Sequence, residues 1–219
     1  MASSLCDLDD GALYLICEAV TSFAKYADEE NTLLSLSSTC KQLRGIAASF
    51  IFHTIMLWNW DTLAQKAAEM ARCELIAKYT RTLQLTPVLL RPVSKDVARL
   101  PQPEEFDTID STAVAIGKLL RSINHLTELR FILGDCGGRA SRGLLAVFRN
   151  QLHSNTSPWA HSLTVLEVDE HTFPIIGLCS NLNTLTVHLG SAKERPTWPT
   201  ALSVNHLRIK NTCFLHLGP

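Results

Sequence analysis

Leu182-Asn183-Thr184-Leu185-Thr186-Val187 carries the frame on which the fold is read: an apolar residue, two others, a leucine, one other, an apolar residue. Successive side chains of a strand point to opposite sides, so this spacing predicts a strand with one buried face. The frame returns at Leu126-Thr127-Glu128-Leu129-Arg130-Phe131, at Leu163-Thr164-Val165-Leu166-Glu167-Val168 and at Val204-Asn205-His206-Leu207-Arg208-Ile209. The central leucines are Leu129, Leu166, Leu185 and Leu207. Leu83, in Thr80-Arg81-Thr82-Leu83-Gln84-Leu85, is a fifth in a weaker frame.

Outward from these strands, the connecting segments have helical spacing. A helix is predicted from Asp61, as its cap, to Lys78, with Leu63, Ala67, Met70 and Ala77 near one face. Another is capped by Asp110 or Ser111 and carries the stripe Ala113, Ile116, Leu120, Ile123. A third runs over 141–153 with Leu144, Leu145, Phe148 and Leu152 inward. Residues 87–107, with Pro87, Pro92, Pro101 and Pro103, read as an extended excursion. Helix, turn and alternating strand in repeated order predict a mainly parallel sheet with helices outside.

The N-terminal part, residues 1–57, has a different texture. Asp9 and Asp10 can cap a first helix whose face is Leu13, Ile16, Cys17 and Val20. A charged loop is expected over 25–31. Asn31 or Thr32 then caps a second helix with the stripe Leu33, Leu36, Cys40, Leu43, which Gly45 ends. Ile46, Ala47 and Phe50 open a short third helix, and Phe52, Ile55 and Leu57 alternate as a strand would. So small a helical unit buries little area, and its apolar surface needs a partner.

Two resemblances follow from these residues. Leu8-Asp9-Asp10 with Leu13, Leu15 and Ile16, then Leu33-Leu34-Ser35-Leu36, Thr39-Cys40-Lys41-Gln42-Leu43-Arg44, Ile46-Ala47 and Phe50-Ile51-Phe52 resemble an F-box of the form common in fungi. Asp9 and Gly11 stand where that family commonly has proline and glutamate, and Leu43 where it often has tryptophan. The strand frame resembles a degenerate leucine-rich repeat. Leu166 to Leu185 and Leu185 to Leu207 are close to the period of roughly 20–29 residues of such repeats. The longer steps before them call for insertions on the helix side. The expected fold is therefore α/β: a small N-terminal helical F-box-like module, 1–57, followed by an irregular leucine-rich-repeat-like α/β solenoid, 58–219.

A formal net charge of −1 argues against nucleic acid or a membrane surface as partner. No apolar run approaches the roughly 20 residues that span a bilayer, and the acidic N-terminus is unlike a signal or transit peptide. The seven cysteines are odd in number, scattered and never in C-x-x-C spacing, which points to a reducing compartment, cytoplasm or nucleus. Cys17, Cys40 and Cys73 read as small apolar members of helix faces.

Motifs for chemistry are sparse. Gly134-Asp135-Cys136-Gly137-Gly138-Arg139 lacks both the Lys-Ser/Thr of a P-loop and G-x-G-x-x-G spacing, and reads as a strand-to-helix turn. No histidine or cysteine pair has metal-ligand spacing, so no metal or cofactor is expected. His161 and His171 flank a strand and read as solvated loop residues. Arg139, Arg142 and Arg149 read as a solvated helix face, and Trp58 with Trp60 as cover for the junction after the helices.

The resemblance implies a non-catalytic substrate receptor of an SCF-type cullin–RING ubiquitin ligase, with the helices on a Skp-type adaptor and the repeats on an unknown target protein. The adaptor contact is expected among Leu8, Leu13, Ile16, Leu33, Leu36, Leu43, Ile46 and Phe50. Two alternatives stay open: a repeat scaffold whose helices merely cap the solenoid edge, and a hydrolase with a dispersed Cys–His pair.

Overall fold

The computed structural model describes residue 5 and residues 8–23, 26–88, 103–133, 158–170, 172–189 and 203–211. Three helices come first: α1 (Asp10–Phe23), α2 (Tyr26–Thr39) and α3 (Lys41–Ile51). Then follow β1 (Thr54–Asn59), α4 (Trp60–Met70), α5 (Glu74–Tyr79), β2 (Thr82–Val88) and α6 (Pro103–Ser122). After these come β3 (Glu128–Phe131), α7 (Pro158–Ser162), β4 (Val165–Asp169), a 3-10 turn (Phe173–Leu178), β5 (Thr184–Leu189) and β6 (His206–Asn211).

The six strands form one parallel sheet in the order β1-β2-β3-β4-β5-β6. Each crossover steps to the next position in the same direction. Right-handed crossovers that all move one way place their connections on one face of the sheet. The core agrees: Leu63 and Ala67 of α4, Ile116, Leu119 and Leu120 of α6, Trp159 of α7, and Phe173 and Ile176 of the 3-10 turn pack with one face of the strands.

The register explains the sequence frame. Ile55, Leu83, Leu129, Leu166, Leu185 and Leu207 pair in one row across the sheet. Leu57, Leu85, Phe131, Val168, Val187 and Ile209 form the next row on the same face. Both rows are buried from β1 to β5. The frame has a sixth member, Phe52-x-x-Ile55-x-Leu57, in which isoleucine takes the place of leucine. The weaker frame at Leu83 also has a cause: the buried Thr80 stands at its first apolar position and donates its hydroxyl to the Phe52 carbonyl at 3.0 Å.

Each strand entry repeats one backbone device. The carbonyl of His53 accepts from the N–H groups of Arg81 and Thr82, that of Arg81 from Thr127 and Glu128, and that of Thr127 from Thr164 and Val165. Thr164 and Asn183 continue the series toward β5 and β6. Each of these carbonyls thus pairs two successive N–H groups where the parallel ladder begins.

Several boundaries differ from the sequence expectation. α2 starts at Tyr26, so the charged run 26–31 is helix rather than loop; acidic residues are favoured near a helix N-terminus as well as in loops. The break between α2 and α3 is at Cys40, not Gly45. Ser37, Ser38 and Thr39 each turn their hydroxyls back to the carbonyl three residues before, and Cys40 is extended at φ −153° and ψ 164°. Its Sγ caps α3 by accepting from the Leu43 N–H at 3.5 Å. Cys40 and Leu43 therefore do not continue the stripe of α2.

The helix expected from Asp61 to Lys78 is two helices with a break at Cys73, the residue before α5. Asp61 lies one residue inside α4, which begins at Trp60. α6 begins at Pro103 rather than at Asp110 or Ser111, with proline at the first position, where a missing N–H costs nothing. Its stripe Ala113, Ile116, Leu120 and Ile123 is fully buried. The predicted helix 141–153, the glycine segment 134–139 and the arginines 139, 142 and 149 lie outside the described residues, as do 89–102 of the proline-rich stretch.

Candidate functional site

Two surfaces are candidates for function, the helical module and the open face of the sheet. In the module, α1 is held by Asp9, whose carboxylate accepts from the Ala12 N–H at 3.0 Å. A Cβ at Gly11 would lie 3.0 Å from that same oxygen, so the Asp9 cap and the missing side chain at Gly11 belong together. Gln42 at the start of α3 donates to Asp10 Oδ1 at 2.6 Å, tying the two helix starts. Arg44 donates to the Ser37 carbonyl at 3.3 Å, supplying positive charge to the end of α2.

The module has its own core of Leu13, Cys17, Leu33, Leu43 and Ala47. Ile16, Val20, Cys40, Ile46, Phe50 and Ile51 pack around it, half-buried. Of the expected contact residues, Leu13, Leu33 and Leu43 are internal. Ile16, Leu36, Ile46 and Phe50 are half-buried, and Leu8 is exposed. Sequence reasoning left out three large apolar residues that the fold leaves outside: Tyr14, Leu15 at 63% exposure, and Leu34. Their signal was their position off the core stripe. Tyr14 lies against the ring of Phe50, centroids 4.9 Å apart. An open groove of about 620 Å³ is lined by Asp10, Lys41, Gln42, Gly45, Ile46 and Tyr79.

On the open face of the sheet, Met56, Gln84, Arg130, Glu167, Thr186 and Arg208 form the row between the two core rows. Met56 and Trp58 are exposed there; Trp58 does not have the covering role its position suggested, because β1 turns it away from the helices. Glu167 gathers three basic side chains. Arg130 Nε lies 2.5 Å from its Oε2, off the line of a hydrogen bond. His188 Nε2 and Lys210 Nζ lie 2.5 and 3.0 Å from Oε1. Burial pushes the Glu167 carboxyl up, but the hydrogen bonds from His188 and Lys210 and the charges of Arg130 and Lys210 outweigh it, so its pKa lies below the ordinary range.

A second polar group closes the far end of the strands. Asp169 accepts from the Leu133 N–H at 2.6 Å and the Thr172 N–H at 2.9 Å, while the Thr172 hydroxyl bonds the Phe131 carbonyl at 2.6 Å. These bonds occupy the buried carboxylate, which has a structural role. Burial raises the pKa of the Cys17 thiol and pushes that of Cys179 up to about 12, so both stay protonated and poor nucleophiles at neutral pH. Cys40 and Cys73 sit at helix N-caps, and each is half-buried against a hydrophobic core, as small apolar residues would be. His161 is exposed with Nδ1 3.1 Å from Ser180 Oγ, and His171 lies outside the described residues. No group of three metal-ligating side chains and no helix long and apolar enough to cross a membrane occurs among the described residues. No known family and no curated protein matches the chain.

Proposed function

We propose that this chain is a substrate-receptor subunit of an SCF-type ubiquitin ligase. In this reading α1–α3 are an F-box-like module that binds a Skp-type adaptor, and the sheet is a degenerate leucine-rich-repeat solenoid that holds a target protein. The observation that carries it is the set of exposed apolar side chains on the module: Leu8, Tyr14, Leu15 and Leu34 lie exposed, beside a core that among the described residues has five buried members. Side chains of this size, grouped on so small a unit, fit a protein partner. The one-directional sheet supports the second half of the reading. Among the described residues the strand order has no reversal and so no switch-point crevice for a small ligand, and the exposed Met56 and Trp58 on the face away from the core suit a macromolecular target.

The chain then works by proximity. Its adaptor contact fixes it to the ligase, and the bound target's lysines meet the ubiquitin-charged enzyme at raised effective concentration. It supplies no catalytic residue. The test is retention of the adaptor by the tagged full chain from extract. Leu15→Asp with Leu34→Asp is expected to reduce retention at least about tenfold, as loss of anchor residues does, with the melting curve unchanged. A wild-type chain that retains no adaptor, beside a known F-box protein that does, would sink the receptor reading.

A further inference from the structure

The last strand, β6, is the least covered of the six. Its core-facing Leu207 and Ile209 are 48% and 53% exposed, whereas their partners on β5, Leu185 and Val187, are fully buried. The alternate residues His206, Arg208 and Lys210 take the opposite, open face, and all three are exposed. Among the described residues β6 pairs on one side only, with β5. Its other side therefore offers a row of backbone donors and acceptors to an added strand.

We propose that the free edge of β6 receives an extended segment of another protein in which apolar residues alternate with aspartate or glutamate. An added strand lies about 4.8 Å away and points its side chains alternately to the two faces. One set would cover Leu207 and Ile209; the other would stand beside His206, Arg208 and Lys210. Arg208 has no side-chain partner among the described residues. Lys210 is bound to Glu167 at 3.0 Å, yet its side chain is half-exposed and retains donors for a second carboxylate. A second copy of this chain is a poorer occupant. Its own β6 would set histidine, arginine and lysine against the same three residues, and like charges across neighbouring strands repel.

Basic residues on an edge strand can also serve only to prevent aggregation, and the experiment separates the two roles. It uses the full chain and a dye-labelled nonapeptide alternating valine with glutamate, followed by fluorescence anisotropy. A peptide with lysine for glutamate is the control. The acidic peptide is expected to bind at least about tenfold more tightly, with an affinity that falls as salt rises. Arg208→Glu is expected to weaken it by a similar factor, and Leu207→Thr to weaken it without changing the salt dependence. Equal binding of the two peptides, no binding of either, or an unchanged affinity in Arg208→Glu overturns the proposal. So does self-association through β6 that the acidic peptide fails to displace. The edge and the adaptor surface are measured separately, so failure of one leaves the other standing.

Discussion

The helical module and the sheet are built from similar side chains and bury them differently. In the sheet, Leu83, Leu129, Leu166 and Leu185 are each fully buried, flanked by row neighbours on both sides and part of one core with side chains of the connecting helices and the 3-10 turn. In the module, Leu13, Leu33 and Leu43 reach the same burial, but Tyr14, Leu15 and Leu34, one or two positions away, lie outside. A sheet that gathers most of its apolar positions on one face closes over them from β1 to β5. Three short helices cannot enclose apolar residues scattered around their circumference. A stripe can therefore be core, and the residues beside it are the ones left exposed.

The largest test of that difference is Leu166→Ala. Its site lies between the paired strands β3 and β5 in the common core, with the 3-10 turn packed on β4, so a loss of about 3–5 kcal/mol is expected in urea unfolding. Leu207→Ala, in the same row but half-exposed, is expected to cost under about 1 kcal/mol. Equal costs would break the picture of a row buried up to β5 and open at β6.

Next comes the open face, tested with Glu167→Gln. Removing the charge leaves Arg130 and Lys210 without their carboxylate, but both are partly exposed and rehydrate, so a cost of about 1–2 kcal/mol is expected at neutral pH. The pH dependence is the sharper readout. The folded-state pKa of Glu167 lies below its ordinary value of 4.5, so its stabilisation is present above that value and lost as pH falls through the folded pKa. The gap between wild type and variant should be flat near neutrality and close below pH 4.5. A gap that persists in acid would assign the effect to packing.

The smallest effect is Gly45→Ala in the module. The glycine sits inside α3 and a Cβ there meets nothing within 4 Å. A gain of about 0.5–1 kcal/mol is expected from the restricted unfolded chain and better helix propensity. A thermal melt shifted downward would show that the position is more crowded than its surroundings indicate.

The strands were readable because alternation depends only on neighbouring residues: the four leucine frames fall in one register. Ile55 reads as a strand residue but stands outside the leucine frame, because that frame is defined by leucine rather than by any apolar side chain. Helix ends were less legible. The stripe Leu33, Leu36, Cys40, Leu43 keeps helical spacing across a break that hydroxyl back-bonding and a cysteine cap create. The charge cluster at Glu167 could not be read at all, since its members come from β3, β4, β5 and β6 and meet only through register. Burial of the candidate contact residues was equally hidden, because periodicity marks a face without saying what lies against it.

The doubly used carbonyls at the strand entries bear on how such a chain tolerates change. Each fixes where the next strand begins, from His53 through to Asn183, whatever the length of the connection that precedes it. Far more chain separates Leu129 from Leu166 than Leu166 from Leu185, yet the strands align without slip. Doubling a flexible connection costs only about 0.6 kcal/mol in closure entropy. Alignment set locally in this way frees the connections to lengthen or shorten while the sheet keeps its shape.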